Sequence, residues 1–110
     1  MPLALATITI AAGQSLSGAA DLGEGELVRF YMPSLWTPAN LSFQLSPDNL
    51  EFGDVFDAYG RETIINIVPG VAVVIALQWR ALAWIKFRSG TRNAPVIQTA
   101  TRNFRLILLK

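Results

Sequence analysis

Four carboxylates, Asp48, Glu51, Asp54 and Asp57, recur at every third position in the middle of the chain. Oxygen donors at that density could hold a hard cation such as Ca²⁺, but the alternating ligands, turn glycine and final glutamate of a calcium loop are missing. On an extended strand a spacing of three sends successive side chains to opposite faces, which separates the oxygens. A pair of carboxylates can also cleave glycosidic bonds as acid and base, given a sugar cleft around them. Nothing in 110 residues supplies that cleft. Solvated or subunit-pairing carboxylates are therefore expected, with no bound metal or cofactor. Ser15, Ser17 and Ser89 have no histidine to activate them, because the chain contains neither histidine nor cysteine, and no glycine run has phosphate-binding spacing. A non-enzymatic protein is the expectation.

A second constellation is basic and aromatic: Trp79-Arg80, then Trp84-Ile85-Lys86-Phe87-Arg88, then Arg92, Arg102 and Arg105. Strand periodicity puts Trp84, Lys86 and Arg88 on one face, where stacking and phosphate neutralisation could bind a nucleic acid. The net charge of +1 argues against strong affinity for free DNA and favours pairing with acidic protein surface. Tyr31, Trp36, Tyr59, Trp79 and Trp84 could alternatively line a sugar-binding surface, although most such rings anchor cores or interfaces.

The charges are segregated along the chain. Residues 1–62 carry all eight acids and only Arg29 and Arg61, a net −6, while the residues after them carry seven bases and no acid, a net +7. Such polarity serves either to join the two halves of one subunit or to join neighbours. Charged residues make up 15% of the chain against about 25% in ordinary globular proteins, which leaves part of the surface suited to burial against other subunits.

These residues must be positioned by short elements, because glycine and proline interrupt the chain too often for long helices. Thr7-Ile8-Thr9-Ile10 alternates, Leu41, Phe43 and Leu45 oppose Ser42, Gln44 and Ser46, and Ile85 and Phe87 oppose Trp84, Lys86 and Arg88. Pro47-Asp48-Asn49 predicts a turn joining strands 41–46 and 52–57. Val71–Leu77 lacks polar alternates and predicts a strand covered on both faces, the second cover coming from the same subunit or from a neighbour. Residues 103–109 predict a strand, central or docking, with Phe104, Leu106 and Leu108 on one face and Arg105, Ile107 and Leu109 on the other. Residues 34–38 and 78–82 could each hold one helical turn. The N-terminus does not have the form of a signal peptide, and Asn66, Pro69 and Gly70 interrupt the most apolar stretch before it could span a bilayer. The expectation is one domain over residues 1–110: an all-β antiparallel sandwich of about eight strands, jelly-roll-like.

The segments Asp21-Leu22-Gly23, Met32-Pro33, Trp36-Thr37-Pro38-Ala39, Leu41-Ser42-Phe43-Gln44, Ser46-Pro47-Asp48, Asp57-Ala58-Tyr59-Gly60 with Glu62, and Lys86-Phe87-Arg88-Ser89-Gly90-Thr91 with Pro95, Val96, Gln98 and Arg102 together resemble a family of small β-sandwich proteins. That family is encoded among the structural genes of tailed bacteriophages and prophages. Asn49 stands where such sequences carry glycine, and it serves the same backbone need. The Phe43-Gln44-Leu45-Ser46-Pro47-Asp48 stretch is also similar to discoidin-like sandwiches. The resemblance implies a virion component made in the bacterial host cytoplasm. Its expected form is a capsid decoration or minor capsid protein that binds the major capsid protein or other virion proteins, assembles with copies of itself and has no membrane or nucleic-acid partner. A head-tail or tail adaptor and a carbohydrate-binding module for host attachment are the alternatives. Under the capsid reading Trp79, Arg80, Trp84, Lys86, Arg88 and Arg105 meet acidic partner surface, and Asp48, Glu51, Asp54 and Asp57 meet basic surface.

Overall fold

The computed structural model describes residues 3–23, 25–74 and 83–110. Eight strands form among them: β1 (Leu3–Ile10), β2 (Ala20–Asp21), β3 (Glu26–Tyr31), β4 (Leu41–Ser46), β5 (Gly53–Asp54), β6 (Ala72–Val74), β7 (Trp84–Ser89) and β8 (Arg102–Leu109). They build two antiparallel four-stranded sheets, with orders β1-β8-β3-β6 and β2-β7-β4-β5. First pairs with last, second with seventh, third with sixth and fourth with fifth. This is a long antiparallel ribbon folded over on itself and joined where β3 meets β8 and β4 meets β7. The arrangement is a jelly roll.

Alternation explains most of the layering. Ile8 and Ile10 of β1, Leu41 and Phe43 of β4, Ile85 and Phe87 of β7, and Phe104, Leu106 and Leu108 of β8 all enter the space between the sheets. Phe87 is the hub, with its ring centroid 5.1 Å from each of Phe30, Phe43 and Phe104 in edge-to-face contacts, the geometry favoured by ring quadrupoles. Strand β3 departs from simple alternation. Leu27 and Phe30 are both buried although three residues apart, and the ladder to β8 slips between Leu27 and Arg29. Val28 is the extra residue of a bulge, and this reverses the parity so that Arg29 and Tyr31 turn outward.

The hairpin at Pro47-Asp48-Asn49 forms, with Asn49 at φ 61° and β5 reduced to Gly53–Asp54. Asp48 Oδ1 closes it by accepting the backbone N–H groups of Leu50 and Glu51 and the Ser46 hydroxyl. The C-terminal strand is central, between β1 and β3. One expectation narrows and another needs correction. The stretch after Val71 takes no second cover from its own subunit where it is described: β6 is a sheet edge and Val74 is 79% exposed on the outer face, which among the described residues leaves only a neighbour to supply that cover. Residues 34–38 make bends in place of a helical turn, because Trp36 is drawn into the core against Phe104 and its indole N–H is held by the Ala39 carbonyl at 3.0 Å. The helical turn expected over residues 78–82 lies outside the described residues.

Candidate interface

The acids at every third position do not converge. Asp48 belongs to its own turn, Glu51 is exposed beside it, and Asp57 accepts the Tyr59 and Arg61 backbone N–H groups while bonding the Arg61 guanidinium at 3.1 Å. Asp54 lies elsewhere, in a ring of four charges. Arg88 on β7 donates to Asp54 at 2.6 Å and to Glu62 at 2.9 Å. Arg92 closes the ring, its side chain reaching Asp54 at 3.1 Å and its backbone N–H reaching Glu62 at 2.9 Å. Ser42 Oγ accepts the Arg88 Nε–H and donates its own hydroxyl to the Gly90 carbonyl. The Arg88 side chain is 8% exposed, so its charge is satisfied inside the subunit and does not face outward as expected. The same holds for Asp54. Glu62 and Arg92 complete the ring, and no spacing rule in the sequence singles them out.

Electrostatics argue in the same direction. Burial pushes the Asp54 carboxyl up, but the hydrogen bonds from Arg88 and Gln44 and the charges of Arg88 and Arg92 together hold it below the usual carboxylate range. Asp48 is lowered by the N–H groups of Leu50 and Glu51 and the Ser46 hydroxyl. Asp57 is lowered by the Arg61 backbone N–H first, then by the Tyr59 N–H and the Arg61 guanidinium, against desolvation. All three stay ionised at neutral pH, which suits structural pairing and not proton donation. Among the described residues no group of three acidic or other metal-ligating side chains comes together.

The outer face of the β2-β7-β4-β5 sheet is thus largely committed. Lys86 sits 4.3 Å over the Phe52 ring, and Trp84 is half-buried between its cross-strand neighbours Asp21 and Ser46. Trp79 and Arg80 lie outside the described residues. The four described aromatic residues considered for sugar binding do not share a surface: Trp36 is core, Tyr59 is in the 57–61 loop, Trp84 is on one sheet and Tyr31 on the other.

The opposite outer face, of β1-β8-β3-β6, is different. Cross-strand register lines up Leu5, Ile107, Arg29 and Val74 in one row, and Thr7, Arg105, Tyr31 and Ala72 in the next. Leu3 and Leu5 are 66% and 77% exposed. Arg29 and Arg105 are exposed and have no ion pair or side-chain hydrogen bond among the described residues. A shallow groove of about 280 Å³ runs beside Arg105, lined by Tyr31, Met32, Pro33 and Asn103. Apolar side chains, a tyrosine and two unpaired guanidinia form the composition of a protein-binding surface. Among the described residues Arg105 is the one expected interface base left free on this face. Arg29 was missed because it lies among acids in the sequence, and only the Val28 bulge turns it beside Tyr31.

Behind this face a buried polar knot fixes the loops. Gln98 accepts from the Thr37 N–H and Arg102 Nε and donates to the Thr37 carbonyl and Ser89 hydroxyl, at 2.7 to 3.0 Å, so all its amide hydrogen-bonding capacity is met. No family model matches this chain, and no curated protein or solved structure shows significant similarity to it.

Proposed function

We propose that this chain is a non-enzymatic structural protein of a tailed-phage virion, a capsid decoration or minor capsid protein that docks on the major capsid protein. The observation that carries the reading is the outer face of β1-β8-β3-β6, where exposed Leu3, Leu5 and Val74 flank the unpaired Arg29 and Arg105. Such a face fits an apolar partner surface edged with carboxylates, whose charges would be met by guanidinia that the subunit does not itself neutralise. The jelly-roll frame and the segments resembling phage structural proteins support the same reading.

The test is to purify particles carrying the gene product through steps of rising salt and to quantify the protein by mass spectrometry. Release without capsid breakage is expected, since exposed charge pairs are screened. Changing Arg29 and Arg105 to Glu lowers incorporation. Hundreds of copies per particle fit a capsid coat, whereas six or twelve would move the protein to the neck. Absence from purified particles overturns the reading.

A further inference from the structure

Among the described residues three of the four sheet edges are short: β2 and β5 have two residues each, and β6 has three as far as Val74. The fourth, β1, has eight, and its sequence Leu3-Ala4-Leu5-Ala6-Thr7-Ile8-Thr9-Ile10 contains no charge and no proline. Natural sandwiches blunt a long edge with lysine, proline or a bulge, because its free N–H and C=O groups template another strand. β1 has none of these devices.

The free groups can be named. The Gly18 N–H bonds the Thr9 carbonyl, so Thr9 points its backbone away from β8. By the two-residue period of an antiparallel ladder, Leu3, Leu5 and Thr7 do the same. Among the described residues nothing takes their N–H and C=O groups. Ala4 and Ala6, though directed inward, are only partly buried, which leaves the core open along this border.

We infer that β1 is a self-association edge, pairing antiparallel with β1 of a second copy about a two-fold axis at Leu5. The occupant is a copy of this chain because the strand suits itself. A charged edge would set like charges opposite each other across the axis, and β1 carries none. Only one register uses all three free residues: Leu5 opposite Leu5 of the partner subunit, and Leu3 opposite Thr7 of the partner subunit. Six backbone hydrogen bonds form, and Gly18 limits the ladder at Thr9. The small Ala4 and Ala6 then cover each other's open border, and the exposed leucines of both copies merge into one apolar band on an eight-stranded sheet. This inference goes beyond the virion reading and does not depend on it.

Sedimentation and light scattering over a concentration series of the full chain test it. The native protein is expected to be a dimer. Leu5→Pro removes an N–H that bonds nothing within the subunit, so the circular dichroism spectrum is retained while the dissociation constant rises about 100-fold, from two lost hydrogen bonds and the ring clash. Should that variant unfold, Leu5→Lys gives the same readout by placing like charges across the axis. Because the chain lacks cysteine, Leu5→Cys is a clean probe. A short bismaleimide bridges it, since the Cα atoms of the two copies lie about 5.5 Å apart across the axis, and Thr9→Cys, roughly 25 Å from its own copy in this register, is not bridged. A native chain that stays monomeric, a dimer indifferent to both Leu5 variants, or equal cross-linking at positions 5 and 9 overturns the inference. A dimer found in a protein absent from particles would overturn the proposed function and leave this edge standing.

Discussion

Arg88 shows how one side chain can settle the fate of several others. It bridges two carboxylates that are themselves mostly buried, 20% and 13% exposed, and removing one member of such a group leaves the others desolvated without a partner. Arg88→Ala is expected to cost about 3 kcal/mol by urea denaturation, whereas Arg61→Ala, which loses a pair with a 74% exposed arginine, stays within about 0.5 kcal/mol. The ring also predicts acid sensitivity. The Asp54 carboxyl is held below its unfolded value, so its contribution is fully present above the unfolded pKa near 4 and is lost as pH falls through the lower folded one. Urea midpoints measured from pH 6 down to pH 2 should fall below pH 4, and Asp54→Asn should flatten part of that fall. At this scale the sequence was legible in kind but not in pairing. The separation of acids from bases at residue 62 implied neutralisation somewhere, but partners 26 to 34 residues apart follow from strand register alone. Gln98 had no local signal, because its bonds to Thr37 span 61 residues.

Elements show where periodicity succeeds and where it fails. β1, β4, β7 and β8 obey alternation, so their core faces can be read directly from Ile8, Phe43, Phe87 and Phe104. β3 could not be read that way, since its bulge serves Leu27 and Phe30 at once and no turn residue marks it. β6 was ambiguous for a different reason: apolar residues on both faces look the same whether the second cover is the same subunit or a neighbour. The turn after β7 makes a firm prediction. Gly90 has φ +90°, and a Cβ there would come within 2.4 Å of the Ala94 carbonyl and 2.7 Å of the Val96 nitrogen. Both obstacles are backbone, so Gly90→Ala combines left-handed strain with a clash and should cost at least about 3 kcal/mol, read as a lowered thermal midpoint. Because Gly90 also offers its carbonyl to Ser42, which holds Arg88, the same change should steepen the loss of stability in acid.

For the whole molecule, the sheet orders make the two outer faces unequal. One is occupied by the charge ring and the 47–64 connection, and the other is left apolar with free arginines. The sequence announced the sandwich and its surplus of apolar surface, part of which lies in connections at Leu50, Tyr59 and Val68, whereas the grouping of Leu3, Leu5 and Val74 on one sheet face depends on which strands the ribbon places together. Deleting the ring of Phe87, which contacts three other rings, should cost about 4 kcal/mol in a Phe87→Ala variant and loosen both sheets together, checked by the loss of near-ultraviolet dichroism along with the melting transition. The closure of β1 on β8 has a further consequence for synthesis. β1 leaves the ribosome before its partner has been translated, so it cannot pair until nearly the whole domain has emerged. Through that interval an uncharged strand has both of its edges open, and long-range pairing of this kind is slow to form. Nascent chains stalled before Arg102 should therefore bind chaperones or aggregate, and release should follow only once β8 clears the exit tunnel.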